Sequence, residues 1–364
     1  MVKRSFLVKY ISVVAILLSL VMLFVYIFDP LSFYRFSSFY EKQYSTEARF
    51  QIPGFVKNSE YDTLIVGTSM GRNFVESYVD EKLGGKSLNA TLPAGTAKEQ
   101  SLTASLGLRE KKVKRIIWEI NHYSIQGGSE FVLNEPNKFP FYLYDRNPLN
   151  DYKYLLNSFS FSLIKTNLIA NLKHVDVNRD REMLFKFGNG VEPAKIENLP
   201  FGFGPKEPNN KKPEEEYRYD SMMESFSDNM LSLVKENPDV EFIFFYAPYP
   251  ILTHINKFND STPEFEERIK VKEDIYNLVQ DYDNVKIYDF QADREITHNL
   301  SNYMSDWTHY YMFINEYIID QIAEGQPIAS IEEYKKLNEE LYDQVLNFSV
   351  DNLKEFEYQR ANAE

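Results

Sequence analysis

The chain has 364 residues, enough for one large α/β domain with insertions or for two smaller domains. Hydrophobic residues at 43% and charged residues at 26% exclude wholesale disorder. The absence of cysteine excludes a disulfide scaffold, a thiolate zinc site, a cysteine nucleophile and a lipobox anchor. A formal charge of −14 argues against nucleic acid as a partner, because phosphate contacts need clustered Lys and Arg.

Charge is unevenly placed. Residues 1–28 hold three bases (Lys3, Arg4, Lys9) and no acid, and the rest carries 37 bases against 54 acids, a net −17. From Tyr10 to Phe28 nineteen residues carry no charge. At ~1.5 Å per residue they match the ~30 Å hydrocarbon core of a bilayer. A cleaved signal peptide has a shorter apolar core and a small-residue cleavage site, which Tyr26-Ile27-Phe28-Asp29-Pro30 does not offer. The expected partner of residues 10–28 is therefore the lipid bilayer. The positive-inside rule puts residues 1–9 in the cytoplasm and residues from about 30 outside the membrane.

Residues 29–58 read as an aromatic, polar connector. YDTLIVGTSM is a short apolar run bounded by turn residues, the pattern of a buried parallel strand. RNFVESYVDEKLGG predicts a helix, KSLNA a strand, AKEQSLTASLGLREKK a helix and VKRIIWEI a third strand. This alternation predicts right-handed βαβ units and a parallel sheet. Residues 125–218, rich in Asn, Pro, Phe and Tyr, interrupt it and read as an insertion. The pattern resumes with a helix around Tyr219–Glu236, the strand VEFIFFYAPYP, a helix near Glu264–Tyr282 and the strand NVKIYDF. The expected domain spans 59–329, and residues 330–364 are expected to form a C-terminal helix, with an apolar stripe at Ile331, Tyr334, Leu337, Leu341 and Val345.

Gly67-Thr68-Ser69-Met70-Gly71 ends the first strand. A serine that opens a helix there either exposes its hydroxyl beside unpaired N–H groups or caps the helix. G-x-S-x-G also matches the nucleophile elbow of α/β-hydrolases, but here it follows the first strand rather than several. A serine becomes nucleophilic when a base, usually an oriented histidine, takes its proton. Of His122, His174, His254, His298 and His309, three have an acid three residues before them, Glu119, Glu295 and Asp306; the Asp306–His309 pair follows the last strand and leads directly into an apolar helical run. Asp306 and His309 read either as that base with its orienting acid or as a capping pair before YMFINEYIIDQIAEG. Loops after parallel strands converge on one sheet edge, where Ser69 and His309 can meet. No H-E-x-x-H, P-loop or dinucleotide fingerprint is present, and neither a metal nor a cofactor is expected.

Gly67-Thr68-Ser69 with Asp306-Trp307-Thr308-His309 resembles the first and last blocks of the SGNH (GDSL-like) hydrolase superfamily. The resemblance covers roughly residues 60–125 and 240–325. It implies a flavodoxin-like three-layer α/β sandwich with a parallel sheet of about five strands, here preceded by one transmembrane helix. Asn89 to Gly95 sits where the second block belongs, with Ala94 or Gly95 as its N–H donor. Trp118-Glu119-Ile120-Asn121 sits where the third belongs, without the glycine two before the asparagine. The resemblance thus implies Ser69, Asp306 and His309 as the catalytic set, and Ser69, Gly95 and Asn121 as the oxyanion hole. An anchored, outward domain is similar to the D-alanine-transfer proteins of lipoteichoic acid assembly and to the alginate and exopolysaccharide O-acetyltransferases. That implies serine-dependent esterase or O-acyltransferase chemistry, with acetyl or D-alanyl esters, on a bacterial surface glycopolymer. A multi-span membrane protein would supply the acyl group. The alternative is a non-catalytic envelope protein that keeps the fold to bind a glycopolymer or a membrane partner. The aromatics of the insertion, Phe139, Phe141, Tyr142, Tyr144, Phe159, Phe161, Phe201 and Phe203, are expected either to cover the site or to pack as core.

Overall fold

A computed structural model describes residues 2–111, 113–133, 139–175, 180–187, 191–200 and 202–355. By contacts the chain divides into two units. One comprises Met1–Glu60, Leu106–Lys111 and Asn134–Phe185, the other Tyr61–Ser105, Lys112–Leu133 and Lys186–Glu364.

The first unit begins with the helix Val2–Phe28, of which Ser5–Phe28, 24 residues, is long and apolar enough to cross a membrane. The connector that follows is tightly built. Asp29, fully buried with φ at +44°, accepts the N–H groups of Phe33, Tyr34 and Arg35 at 2.9 Å each, and the Tyr154 hydroxyl at 2.8 Å. A single carboxylate thereby satisfies three backbone donors of the turn that leaves the helix. The helix Ala48–Asn58 closes on this turn at Gly54, where a Cβ would lie 2.0 Å from the Leu31 carbonyl oxygen, so only glycine fits. The helix Ser158–Lys173 belongs to the same unit.

The second unit holds five strands: β1 (Thr63–Val66), β2 (Ser87–Asn89), β3 (Arg115–Glu119), β4 (Glu241–Tyr246) and β5 (Val285–Asp289). They form one parallel sheet in the order β2-β1-β3-β4-β5, the flavodoxin-like arrangement, as the apolar runs predicted. Side chains alternate between its faces. Ile65, Ile117, Ile243 and Phe245 share a core with the helices Glu76–Leu83, Ile251–Asp260, Met312–Glu324 and Ile331–Leu346. On the other face Trp118 bonds Gln100 at 2.7 Å, and Phe244 packs between Trp118 and Phe226 of the helix Tyr219–Phe226. With both faces covered, the central strands β1, β3 and β4 are buried almost throughout, which is why they read as apolar runs, while the edge strands β2 and β5 are partly exposed.

Several boundaries differ from the sequence pattern. The helix expected from Arg72 starts at Glu76, after a short 3₁₀ turn at Ser69–Gly71. The stretch Tyr219–Glu236 is interrupted by a π-helical turn at Ser227–Leu231. The C-terminal helix ends at Leu346, and Ser349 caps a further 3₁₀ turn. The stretch read as one insertion is divided between the units: 139–175 and 180–185 go with the N-terminal helix, and 125–133, 186–187, 191–200 and 202–218 with the sheet. Of the aromatics expected to border the site, Phe139, Phe141, Tyr142, Tyr144, Phe159 and Phe161 belong to the first unit, with Phe139 and Tyr144 buried. Phe203 packs on Phe348 in the second, and Phe201 lies outside the described residues.

Candidate active site

The strand order reverses between β2-β1 and β3-β4-β5, and the carboxyl edge at such a point is where open α/β sheets bind ligands. Ser69 follows β1 at this place. The cap of its turn is Thr68, whose hydroxyl accepts the Met70 N–H at 3.3 Å, so the Ser69 hydroxyl is not used for capping. Two asparagines hold the turn. The Asn89 amide donates to the carbonyls of Gly71, Arg72 and Phe74 at 3.0–3.2 Å, and the Asn315 amide donates to that of Met70 at 3.0 Å.

His309 reaches this turn from 240 residues away, its Nε2 lying 2.8 Å from Ser69 Oγ. Its Nδ1 lies 2.6 Å from Asp306 Oδ2. An ionised carboxylate only accepts, so Nδ1 carries the ring proton and Nε2 accepts from the serine hydroxyl. Asp306 is not a cap of the following helix, which begins at Met312. Its Oδ1 instead accepts the N–H groups of Thr308 at 3.0 Å and His309 at 2.9 Å, closing a turn on itself. Trp307, at the apex, has φ +61°, a strained conformation for a bulky residue. The turn is clamped at its base, where the Met304 N–H donates to the His309 carbonyl at 2.8 Å and Tyr303 pairs with Tyr310. Partial burial pulls the Asp306 carboxyl upward, but the bonds from the His309 ring and from the N–H groups of His309 and Thr308 outweigh it and hold it below its ordinary value. The Phe187 ring lies 4.7 Å from the His309 ring, and the Phe187 N–H is tied to Asn73 at 2.7 Å.

Beneath the serine lies a group that the sequence reading passed over. Glu119, fully buried at the end of β3, accepts the Thr68 N–H at 2.7 Å and the Thr68 hydroxyl at 2.8–2.9 Å. The Asn121 amide donates to it at 2.9 Å. Burial raises its pKa, with the bonds from Asn121, Thr68 and the Gly71 N–H opposing the rise. Gly67 makes this contact possible, since a Cβ there would sit 2.7 Å from Glu119 Cβ and 2.8 Å from its Oε2.

The residues assigned to an oxyanion hole are differently placed. The Gly95 N–H donates to the Leu92 carbonyl at 2.8 Å. The Asn121 amide is committed to Glu119 and to the Tyr249 hydroxyl, which uses both of its hydrogens. Neither group is free to meet a developing charge in this conformation. The Ser69 N–H has no acceptor among the described residues. His122 and His298 do not join the Ser69–His309 pair: His122 bonds the Arg268 carbonyl and His298 the Thr297 hydroxyl. No cluster of potential metal ligands occurs among the described residues.

No family model and no curated protein sequence matches the chain. One solved structure, provisionally described as a platelet activating factor from Streptococcus pneumonia, is 11% identical over 82% of this chain and 91% of its own, with a TM-score of 0.35. A likeness of that degree carries no argument about activity or residues.

Proposed function

We propose that this protein is a serine-dependent acyl esterase or O-acyltransferase held at a membrane by its N-terminal helix, with the α/β unit outside. The observation that carries this reading is the Ser69–His309–Asp306 relay, with 2.8 Å and 2.6 Å contacts and a serine hydroxyl left free by the Thr68 cap. Ser69 Oγ attacks an ester or thioester carbonyl carbon while its proton passes to His309 Nε2, and Asp306 stabilises the imidazolium. The leaving alcohol or thiol takes that proton, and an acyl-serine remains. Water or a sugar hydroxyl then gives up a proton to His309 and attacks the acyl carbon, and His309 passes that proton to Ser69 Oγ as the acyl–oxygen bond breaks. The Ser69 N–H is the donor best placed by its lack of a partner to meet the oxyanion. A cell-surface glycopolymer carrying acetyl or D-alanyl esters is the substrate class in keeping with the anchor, and a multi-span membrane protein is the acyl source for a transferase.

The occupied donors of Gly95 and Asn121 favour a second reading, a fold retained for binding without turnover. Treatment of the full chain in micelles with a fluorophosphonate or an acyl-nitrophenyl ester separates the two. Labelling of Ser69 that is lost in Ser69→Ala and His309→Ala supports the enzyme. A folded wild type that does not label, and that binds polymer as well as both variants do, overturns it.

A further inference from the structure

A second polar site lies on the same carboxyl edge of the sheet, beyond β3, β4 and β5. Asn121 and His122 follow β3, Tyr249 follows β4 and Gln291 follows β5, and with the helices Ile251–Asp260 and Thr262–Val279 they enclose a cavity of about 30 Å³. At ~10–15 Å³ for each water centre, that is room for about two waters, or for the two oxygens of a carboxylate.

Its lining has one sign of charge. Lys257, Arg268 and Lys272 face it with His122 and His254, and no carboxylate lines it among the described residues. Two acids pair with these cations. Asp289 pairs Lys272 at 2.6 Å, and Glu264 serves both Arg268 at 2.7 Å and Lys257 at 3.6 Å. Three fixed cations thus share two paired carboxylates, and Glu119, behind Asn121, forms an ion pair with none of them. Burial, together with Arg268 and Lys272, holds His122 well below its ordinary range. Burial, then Lys272 and Arg268, pushes His254 down to about 3. Both imidazoles are thus neutral.

Hydrogen-bonding capacity is also unspent here. Arg268 is only 7% exposed, yet its Nε has no partner among the described residues, and the buried Nε2 of His254 has none either. Buried polar atoms are nearly always satisfied, and an orphaned guanidinium N–H in a cationic cavity is a donor lacking an anionic acceptor. The rings of Tyr123 and Tyr217 lie 5.0 Å and 5.3 Å from the Arg268 guanidinium and fix its plane.

We infer that this cavity binds a small oxyanion head group, a carboxylate or a phosphate, through Arg268, Lys257 and His254. The site is separate from the Ser69–His309 relay and does not depend on the chemistry assigned to it. The test is a titration of the full chain in micelles, ¹⁵N-labelled at histidine, with sodium acetate and with sodium phosphate, each against sodium chloride at equal ionic strength. Saturable movement of the His254 ring resonances with either oxyanion, and little with chloride, is the expected result. Stronger response to acetate assigns a planar carboxylate, and stronger response to phosphate a phosphoryl group. Lys257→Met, read on the His254 ring, and His254→Asn, read on the ring of His122 in the same lining, should each weaken binding about tenfold, equivalent to about 1.4 kcal/mol; they are chosen because Arg268 and Lys272 are buried in ion pairs. Ser69→Ala should bind as wild type does, whether or not the protein labels. Resonances that follow ionic strength alone, or variants that bind undiminished, overturn the site and leave only a hydrated cavity.

Discussion

The upper and lower halves of the Ser69 site are built on opposite principles. Above, Asp306 and His309 sit on a turn whose side chains remain 48% and 23% exposed, and the contacts joining them to Ser69 form one short chain. Below, Thr68, Glu119, Asn121 and Tyr249 are buried and saturate one another with hydrogen bonds. A group that must gain and lose a proton needs access and a partner that can change state. A group that must hold a backbone turn needs neither. The contrast separates side chains that act from those that position, and it can be broken by substitution on either side.

The largest effect belongs above. Ser69→Ala and His309→Ala should lower fluorophosphonate labelling by at least about 10³-fold, with thermal unfolding shifted little because both side chains are partly exposed. Equal loss of labelling and of stability would put these residues among the structural ones. Asp306→Asn keeps the shape of the turn but can no longer impose the Nδ1–H tautomer, and should reduce labelling by about 10²-fold or more. Asn121→Ala probes the lower half. Removal of an oxyanion donor costs about 10²–10³ in rate. Because the Asn121 amide is spent on Glu119 and Tyr249, we expect only about a tenfold loss of labelling, with a destabilisation of about 1–3 kcal/mol from the donors and acceptors left unpaired. A loss of 10³-fold at unchanged stability would return Asn121 to the oxyanion hole.

The same division explains what could be read from sequence. The strands were legible because a parallel sheet covered on both faces needs continuous apolar runs, and LIV, IIW and FIFFY carry them. The approach of Ser69 to His309 was legible from topology, since both follow parallel strands. Glu119 was not, because its partner Thr68, 51 residues away, becomes a neighbour only when β3 is laid beside β1, and a lone acid ending a strand looks like solvated surface. Gly95 and Asn121 carried the right residue types, but which acceptor takes an N–H is decided by tertiary placement: Leu92 for one, Glu119 and Tyr249 for the other. The one usable signal was Gly67, whose missing side chain marks the close approach of Glu119.

The smallest effect, and the sharpest test of the lower half, is the pH dependence that Glu119 imposes. Its folded pKa is raised above the unfolded value of about 4.3, so the folded state binds more protons than the unfolded chain between the two values. Stability from this group is therefore fully present below about pH 4 and is lost as pH rises through the raised folded value. Glu119→Gln removes the titration but turns an amide NH₂ toward donors, a fixed cost at every pH. In urea unfolding, wild type should exceed Glu119→Gln by most at low pH, and the gap should narrow as pH rises. A gap that widens with pH would mean that the bonds from Thr68, Gly71 and Asn121 overcome burial and hold the carboxylate ionised. Glu119 would then act as a buried negative charge beneath Ser69, able to favour protonation of His309, and the lower half would share in the chemistry.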